Sequence, residues 1–345
     1  MNWYKEGDES VAQSRRGVVE PGDWTLYRAF DLFCGGGGSS CGARMAGVES
    51  AGGVDAWEVA AEAYRQNFPG GLVYQSRIER LTATRVAREV GRVDFLLASP
   101  ECTNHSVAKG ASPRCEVSRR TAFEVIRFAR AMQPRWVVVE NVTAMRNWHS
   151  YSEWLAGLER LGYRTLETTL DASDFGVAQS RRRLFVICDR EDDPQPPTKR
   201  RGPKPSVRSV LASMNGQAAE WEFTPLKSPG RAKPTLQRAR RAIKEVGDKA
   251  SFLLVYYGTD AAGGWQSLDR PLRTITTLDR FALVERNGAG HVMRMLQPPE
   301  LAAAMGFPKD YRWPETTRRN RIKLIGNAVS PPVMKAVVSR LLESS

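Results

Sequence analysis

Short apolar runs that each end abruptly in glycine or in a chemically active side chain narrow the folds open to this chain more than any other feature. Val93-Asp94-Phe95-Leu96-Leu97-Ala98 leads into Ser99-Pro100-Glu101-Cys102-Thr103-Asn104-His105-Ser106, and Trp136-Val137-Val138-Val139 ends in Glu140-Asn141-Val142. Runs of this length without polar alternation read as strands buried on both faces of a parallel sheet. Tyr27 to Phe33 is a further strand candidate, and it runs into Cys34-Gly35-Gly36-Gly37-Gly38-Ser39-Ser40, after which Cys41 to Val48 has helical character. Between the strands, Arg120 to Met132 places Ala122, Val125, Ile126, Ala129 and Met132 on one helical face, and Pro134 stops it. Alternation of this kind points to an α/β architecture.

In such a sheet, ligands bind beyond the carboxyl ends of the strands. Glycines supply positive φ and close backbone approach, and the following helix offers unpaired N–H groups. About 20 residues after the glycine run, Gly53-Val54-Asp55 closes a second apolar stretch with an acid, the spacing of a carboxylate that holds ribose hydroxyls. Trp57, two residues on, is placed either to stack on a purine or to fill core. A thiol at Cys102 and a carboxyl at Glu140 are expected to converge on the same crevice. Leu184-Phe185-Val186-Ile187-Cys188 is a further strand, preceded by Gln179-Ser180-Arg181-Arg182-Arg183, whose guanidiniums suit a phosphate or a base edge.

Charge narrows the partner. The 345 residues carry 51 Lys and Arg against 38 Asp and Glu, a net +13. From Lys199 to Lys249 there are 13 Lys and Arg against 4 Asp and Glu, so +9 of that excess sits in one stretch. The stretch holds five prolines and shows no sustained period, so loops and short elements are expected, with Trp221, Phe223 and Leu253 to Tyr257 as apolar anchors. A phosphate-gripping module fits this composition. Five scattered cysteines without Cys-x-x-Cys spacing read as reduced thiols, so neither a zinc site nor a disulfide framework is expected. With no long apolar run and no signal-like start, the reading is a chain of the cytoplasm, nucleoid-associated, with no membrane partner.

In order and identity the motifs resemble the DNA (cytosine-5) methyltransferases, from about Phe30 to Leu341 with Lys199 to Lys249 unmatched. Asp31-Leu32-Phe33-Cys34-Gly35-Gly36-Gly37-Gly38 is similar to the family's S-adenosylmethionine loop, and Cys102 falls on its nucleophile. Glu140-Asn141-Val142 matches Glu-Asn-Val, and Gln179-Ser180-Arg181-Arg182-Arg183 matches Gln-x-Arg-x-Arg. Arg270 to Thr277 is similar to the segment after the recognition domain, and Gly326-Asn327-Ala328-Val329-Ser330-Pro331-Pro332-Val333 to the last motif. The resemblance implies Cys102, Glu140, Arg181 and Arg183 as catalytic residues. It implies Asp31, Leu32, Phe33, Gly35, Gly37, Gly38, Asp55, Trp57, Ile78, Asn327 and Val329 around S-adenosylmethionine, and Pro100, Ser106, Asn141, Val142 and Gln179 on the substrate side. It also implies transfer of a methyl group to C5 of a flipped-out cytosine in duplex DNA, in a restriction-modification setting. The chain departs from the pattern at Glu101 and Thr103 beside Cys102, and at Arg77, where the family carries an acid against the adenine edge.

The expected fold is therefore α/β: a Rossmann-like, mostly parallel sheet of the S-adenosylmethionine-dependent methyltransferase kind with a small basic target recognition domain. The expected division is an extension over 1–24, the catalytic domain over 25–190, the recognition domain over 191–264 and a return to the catalytic domain over 265–345, acting as a monomer without metal. Two readings compete: the branch of the family that methylates transfer RNA, and a DNA-binding homologue without catalysis. A nicotinamide-dependent dehydrogenase explains only the glycine loop and Asp55.

Overall fold

The computed structural model describes residues 27–100, 121–214, 221–227, 229–257 and 263–344. Seven strands form the larger sheet: β1 (Arg28–Leu32), β2 (Glu49–Asp55), β3 (Leu72–Gln75), β4 (Phe95–Ala98), β5 (Trp136–Asn141), β6 (Arg164–Asp171) and β7 (Arg182–Asp189). Their spatial order is β3-β2-β1-β4-β5-β7-β6. β1 to β5 pair in parallel, and β7 alone runs against both its neighbours, β5 and β6. The order reverses direction between β1 and β4, which is where a doubly wound sheet opens its ligand crevice. β4 and β5 are buried along their whole length, as their unbroken apolar runs require.

Helices cover both faces. Gly38–Met45 packs against the C-terminal helix Pro331–Leu342, whose Val333, Met334, Val337, Val338 and Leu341 join Phe95, Trp136 and Phe185 in one core. On the other face Phe123–Met132 and Tyr151–Glu159 supply Val125, Phe128, Trp154 and Leu158. The last helix of the described residues thus packs beside the first strand and first helix.

A second sheet is antiparallel: β8 (Thr224–Pro225), β9 (Phe252–Val255), β10 (Trp265–Ser267), β11 (Phe281–Asn287) and β12 (Gly290–Met295), in the order β10-β9-β11-β12-β8. It draws strands from both sides of residue 264, so the segment similar to the family's post-recognition motif threads through it. Alternation sorts its side chains. Leu253, Val255, Phe281 and Leu283 face a core shared with Tyr64, Phe68, Met305 and Phe307 of the first domain. Phe252, Leu254, Ala282 and Val284 face the helix Lys233–Val246.

That 14-residue helix corrects the expectation of loops and short elements between Lys199 and Lys249. Its buried stripe is made of Ala239 and Ala242 with Ile243 and Val246 beside them, a helical spacing set among prolines and cations. Pro234, a helix breaker in an interior turn, sits here in the first turn, where its missing N–H has no intrahelical partner to lose. The apolar anchors are real. Trp221 and Phe223 flank the Arg294 guanidinium at 5.0 and 5.1 Å, and Arg294 is held bidentately by buried Glu300 at 2.7 and 2.8 Å. Nor is all of the basic stretch available to a partner, because Lys199 and Lys204 both pair with Asp174, at 2.9 and 2.6 Å. No helix among the described residues is long and apolar enough to cross a membrane.

Candidate active site

β1 delivers the glycine turn. Phe33 takes φ 58°, Gly35 52° and Gly37 76°, so the chain leaves the strand through the left-handed region and enters the helix at Gly38. Gly38 is irreplaceable on steric grounds: a Cβ there would lie 2.1 Å from the Val329 carbonyl oxygen. Val329 of the last motif is buried and touches the turn from behind, whereas Asn327 is exposed at the end of the helix Arg318–Asn327. Asp55 braces the turn from β2, its two carboxylate oxygens accepting from the backbone N–H groups of Gly35 at 2.9 Å and Trp57 at 2.8 Å. Ser99, to which no motif assigns a role, closes the other side by donating to the Phe33 carbonyl at 3.0 Å.

Asp31 lies beneath this turn, sealed from solvent. Burial pushes its carboxyl up to about 7 against a Ser40 hydrogen bond that pulls the other way. Ser40 Oγ donates to Asp31 Oδ2 at 2.8 Å and lies 2.6 Å from the Tyr64 hydroxyl, which donates to the Gly52 carbonyl at 3.0 Å. Asp31 therefore supports the turn from inside. Leu32 and Ile78 are likewise core, and Trp57 packs beside Ala60, Leu324 and Trp313 with the Lys323 ammonium 4.3 Å above its ring. Arg77 is exposed at the start of a short 3-10 turn, next to Ser76, whose amide bonds the Asp55 carbonyl.

The turn suits a nucleoside-bearing ligand. On its outer side a Cβ at Gly35 would meet only the Phe33 carbonyl, at 3.9 Å, so backbone is open there at a helix N-terminus beside a carboxylate. Those are the groups that S-adenosylmethionine requires.

Across the sheet, the antiparallel sense of β7 brings its first residues to the same edge as the carboxyl end of β5: Glu140 lies opposite Phe185 and Asn141 opposite Leu184. Arg183 Nε stands 3.2 Å from Glu140 Oε1. Glu140 is 6% exposed, and burial raises its carboxyl pKa although Arg183 and Arg181 oppose the shift. Asn141 donates to the Pro100 carbonyl at 3.0 Å and accepts from the Val142 amide at 2.8 Å, which ties the loop after β4 to the end of β5. Cys102 and Ser106 lie outside the described residues. The cysteines that are described, Cys34, Cys41 and Cys188, are buried with thiol pKa values pushed up by desolvation, so none of these three is poised as a nucleophile.

The two arginines part company. Arg181 is buried and donates to the carbonyls of Ile275 at 3.2 Å and of Gly326 and Ala328 at 3.1 Å. Gln179, fully buried, accepts from the Ile275 amide at 3.0 Å, and Leu272 and Ser180 exchange backbone bonds with this segment. Arg181 and Gln179 therefore tie β7 to the two later motifs, while Arg183 alone of the pair meets Glu140. Spacing treats both arginines alike; their partners separate them, because Arg181 precedes β7 and is taken up by the carbonyls of Ile275, Gly326 and Ala328, whereas Arg183 lies within the strand beside Glu140. Among the described residues no group of three or more His, Cys, Asp or Glu is arranged to hold a metal ion.

Comparison with known proteins places the chain in a family. The family model for C-5 cytosine-specific DNA methylases matches residues 27–343. The Type II methyltransferase M.FnuDI of Fusobacterium nucleatum is 23% identical over 347 residues, covering 92% of this chain and 94% of that protein. M1.BsuMI of Bacillus subtilis (strain 168) is 26% identical over 340 residues, covering 87% and 76%. Among solved structures, a mutant of Spodoptera frugiperda DNMT2 superposes with TM-score 0.63 at 18% identity over 92% of this chain and 99% of its own. The Entamoeba histolytica methyltransferase EhMeth does so with TM-score 0.65 at 14% over 93% and 99%. The structural likenesses establish the fold.

Proposed function

We propose, for a chain that belongs to the C-5 cytosine-specific DNA methylase family, that it transfers a methyl group from S-adenosylmethionine to C5 of cytosine in duplex DNA. The buried Glu140–Arg183 pair at the shared edge of β5 and β7 carries the reading. A protonated Glu140 donates to cytosine N3 and accepts from the exocyclic amine, and desolvation favours that protonated form. Arg183 holds the O2 edge and stabilises the charge that develops as the ring is attacked. Cys102, at the loop anchored through Pro100, is the proposed nucleophile: its thiolate bonds to C6 and the ring electrons shift to C5. S-adenosylmethionine, when bound, supplies the electrophilic methyl group that C5 takes up. Loss of the C5 proton to a base and expulsion of the Cys102 thiolate restore the ring. C6 is out of reach inside a stacked duplex, so the base must leave the helix.

The M.FnuDI and M1.BsuMI matches, over 94% and 76% of those proteins and both named as Type II methyltransferases, favour DNA and a restriction-modification setting. The likeness to DNMT2 keeps transfer RNA as the competing substrate. Incubation with methyl-labelled S-adenosylmethionine and either duplex DNA or RNA, beside a Cys102→Ala control, decides between them. Label on DNA that vanishes with the thiol supports the proposal; label confined to RNA overturns it.

A further inference from the structure

The helix Lys233–Val246 carries a face that neither packing nor catalysis uses. Lys233, Gln237, Arg240 and Lys244 follow one another at spacings of four, three and four residues and are all exposed, with Arg241 flanking them. They form a single stripe opposite the Ala239–Ala242 side that seals the helix onto the small sheet. Lys233, Arg240 and Lys244 are in no ion pair with any described residue. The helix has one acid, Glu245, and it lies off the stripe. Stability does not account for the arrangement: the first turn contains no acid and begins with a lysine, which is unfavourable at the positive end of a helix dipole. Glu245 instead lines a cleft of about 620 Å³ together with Trp265, Arg270, Arg273 and Ser180, and Ser180 lies three residues before Arg183. The cleft thus takes Glu245 and leaves the stripe itself open to a partner.

We infer that this helix face is the element that enters the major groove of the substrate duplex, with Gln237 and Arg240 reading base edges and Lys233 and Lys244 gripping phosphates. The inference rests on the DNA reading above and goes further by assigning sequence selection to two side chains of one helix and phosphate grip to two more. The dimensions fit: a helix is about 10–12 Å across, and a B-form major groove is roughly 12 Å wide. With the helix lying along the groove, Lys233 and Lys244 at the two ends of the stripe reach the flanking phosphates while Gln237 and Arg240 lie between them, and these are residue types that bond adenine and guanine edges bidentately. The deep, narrow major groove of A-form RNA does not admit such a face, so the stripe favours DNA over RNA.

The test is equilibrium binding of the full chain to a labelled mixed-sequence DNA duplex as salt is varied, read by fluorescence anisotropy. For Lys233→Gln/Lys244→Gln the slope of log affinity against log salt should become shallower by about 1.8, near 0.9 for each phosphate that the variant no longer neutralises. Lys309→Gln, an exposed lysine of the catalytic domain, should leave it within about 0.3. Arg240→Ala and Gln237→Ala should each lose about tenfold in preference for one base of the methylated sequence. A wild-type slope in the double variant, an equal change in Lys309→Gln, or an equal or larger change on an RNA duplex overturns the inference. Because binding is read without methyl transfer, a wild-type protein that binds DNA through the stripe yet methylates only RNA defeats the proposed activity and not this inference.

Discussion

Replacing Arg181 by methionine should damage the fold, and replacing Arg183 by methionine should damage the chemistry. Arg181 donates three buried hydrogen bonds to the carbonyls of Ile275, Gly326 and Ala328. Each charge-assisted bond contributes about 1.5–3 kcal/mol, but methionine also spares the desolvation of a guanidinium, so about 3–5 kcal/mol is the expected net loss, as for other broken buried charge contacts. An unfolding entropy of about 2.1 cal/mol/K per residue converts that to a melting point lower by roughly 4–7 °C for a chain of this length. Arg183 is partly exposed, and its ion-pair partner among the described residues, Glu140, already leans toward the neutral form. Its loss should cost about 1 kcal/mol or less, because Glu140 takes up a proton instead, while methyl transfer falls by about a hundredfold or more. Thermal melting beside single-turnover methyl transfer separates the two. An Arg181→Met protein that melts with wild type, or an Arg183→Met protein that melts as low as Arg181→Met, would refute the division of labour.

Other consequences follow from the same site. Asp31, with its carboxyl at about 7 in the fold against 3.8 ordinarily, contributes stability that is complete below about pH 4 and is lost as pH rises through about 7, up to roughly 4 kcal/mol over that window. Urea midpoints at pH 5 and pH 8 should show this decline in wild type and much less of it in Asp31→Asn. Gly38→Ala forces a Cβ to within 2.1 Å of the Val329 carbonyl and should destabilise by about 2–3 kcal/mol through separation of the turn from the last motif, measured as a drop in the denaturation midpoint. Because burial raises the Glu140 pKa, its protonated fraction falls as pH rises through that value. Methyl transfer should show this alkaline limb in wild type and not in Glu140→Gln, whose pH–rate profile is the check.

The large sheet was legible because Phe95–Ala98 and Trp136–Val139 are too apolar for anything but burial on both faces, and because polar groups follow them at once. The helix Lys233–Val246 was hidden although Leu236, Ala239, Ile243 and Val246 recur at helical spacing, because the prolines and cations of the surrounding stretch mask a single element of this length. The extent of the second sheet escaped for another reason: β11 and β12 pair with β9 and β8 across the chain, and pairing partners are not written in local spacing. Within the site, Glu140 and Arg183 were visible as residue types in a motif, and Gly38 as one of a run. What each of them touches was not. Arg181 and Gln179 read as companions of Arg183, yet both precede β7, and the arrival of Ile275, Gly326 and Ala328 from nearly a hundred or more residues away turns them into braces. Ser99, Ser40 and Tyr64 carry no motif at all, and only the packing of β1, β2 and β4 reveals what they support.

The most direct test of the account exploits the one proton that its chemistry must lose. A DNA duplex whose target cytosines carry fluorine at C5 offers no such proton, so addition of Cys102 and methylation proceed and release of the enzyme does not. With S-adenosylmethionine, the wild-type protein should form a denaturation-stable adduct with this duplex, its mass equal to protein plus methylated strand, and Cys102→Ala should form none. Methylation of ordinary duplex DNA without any trapped adduct, or an adduct that survives Cys102→Ala, would contradict the account.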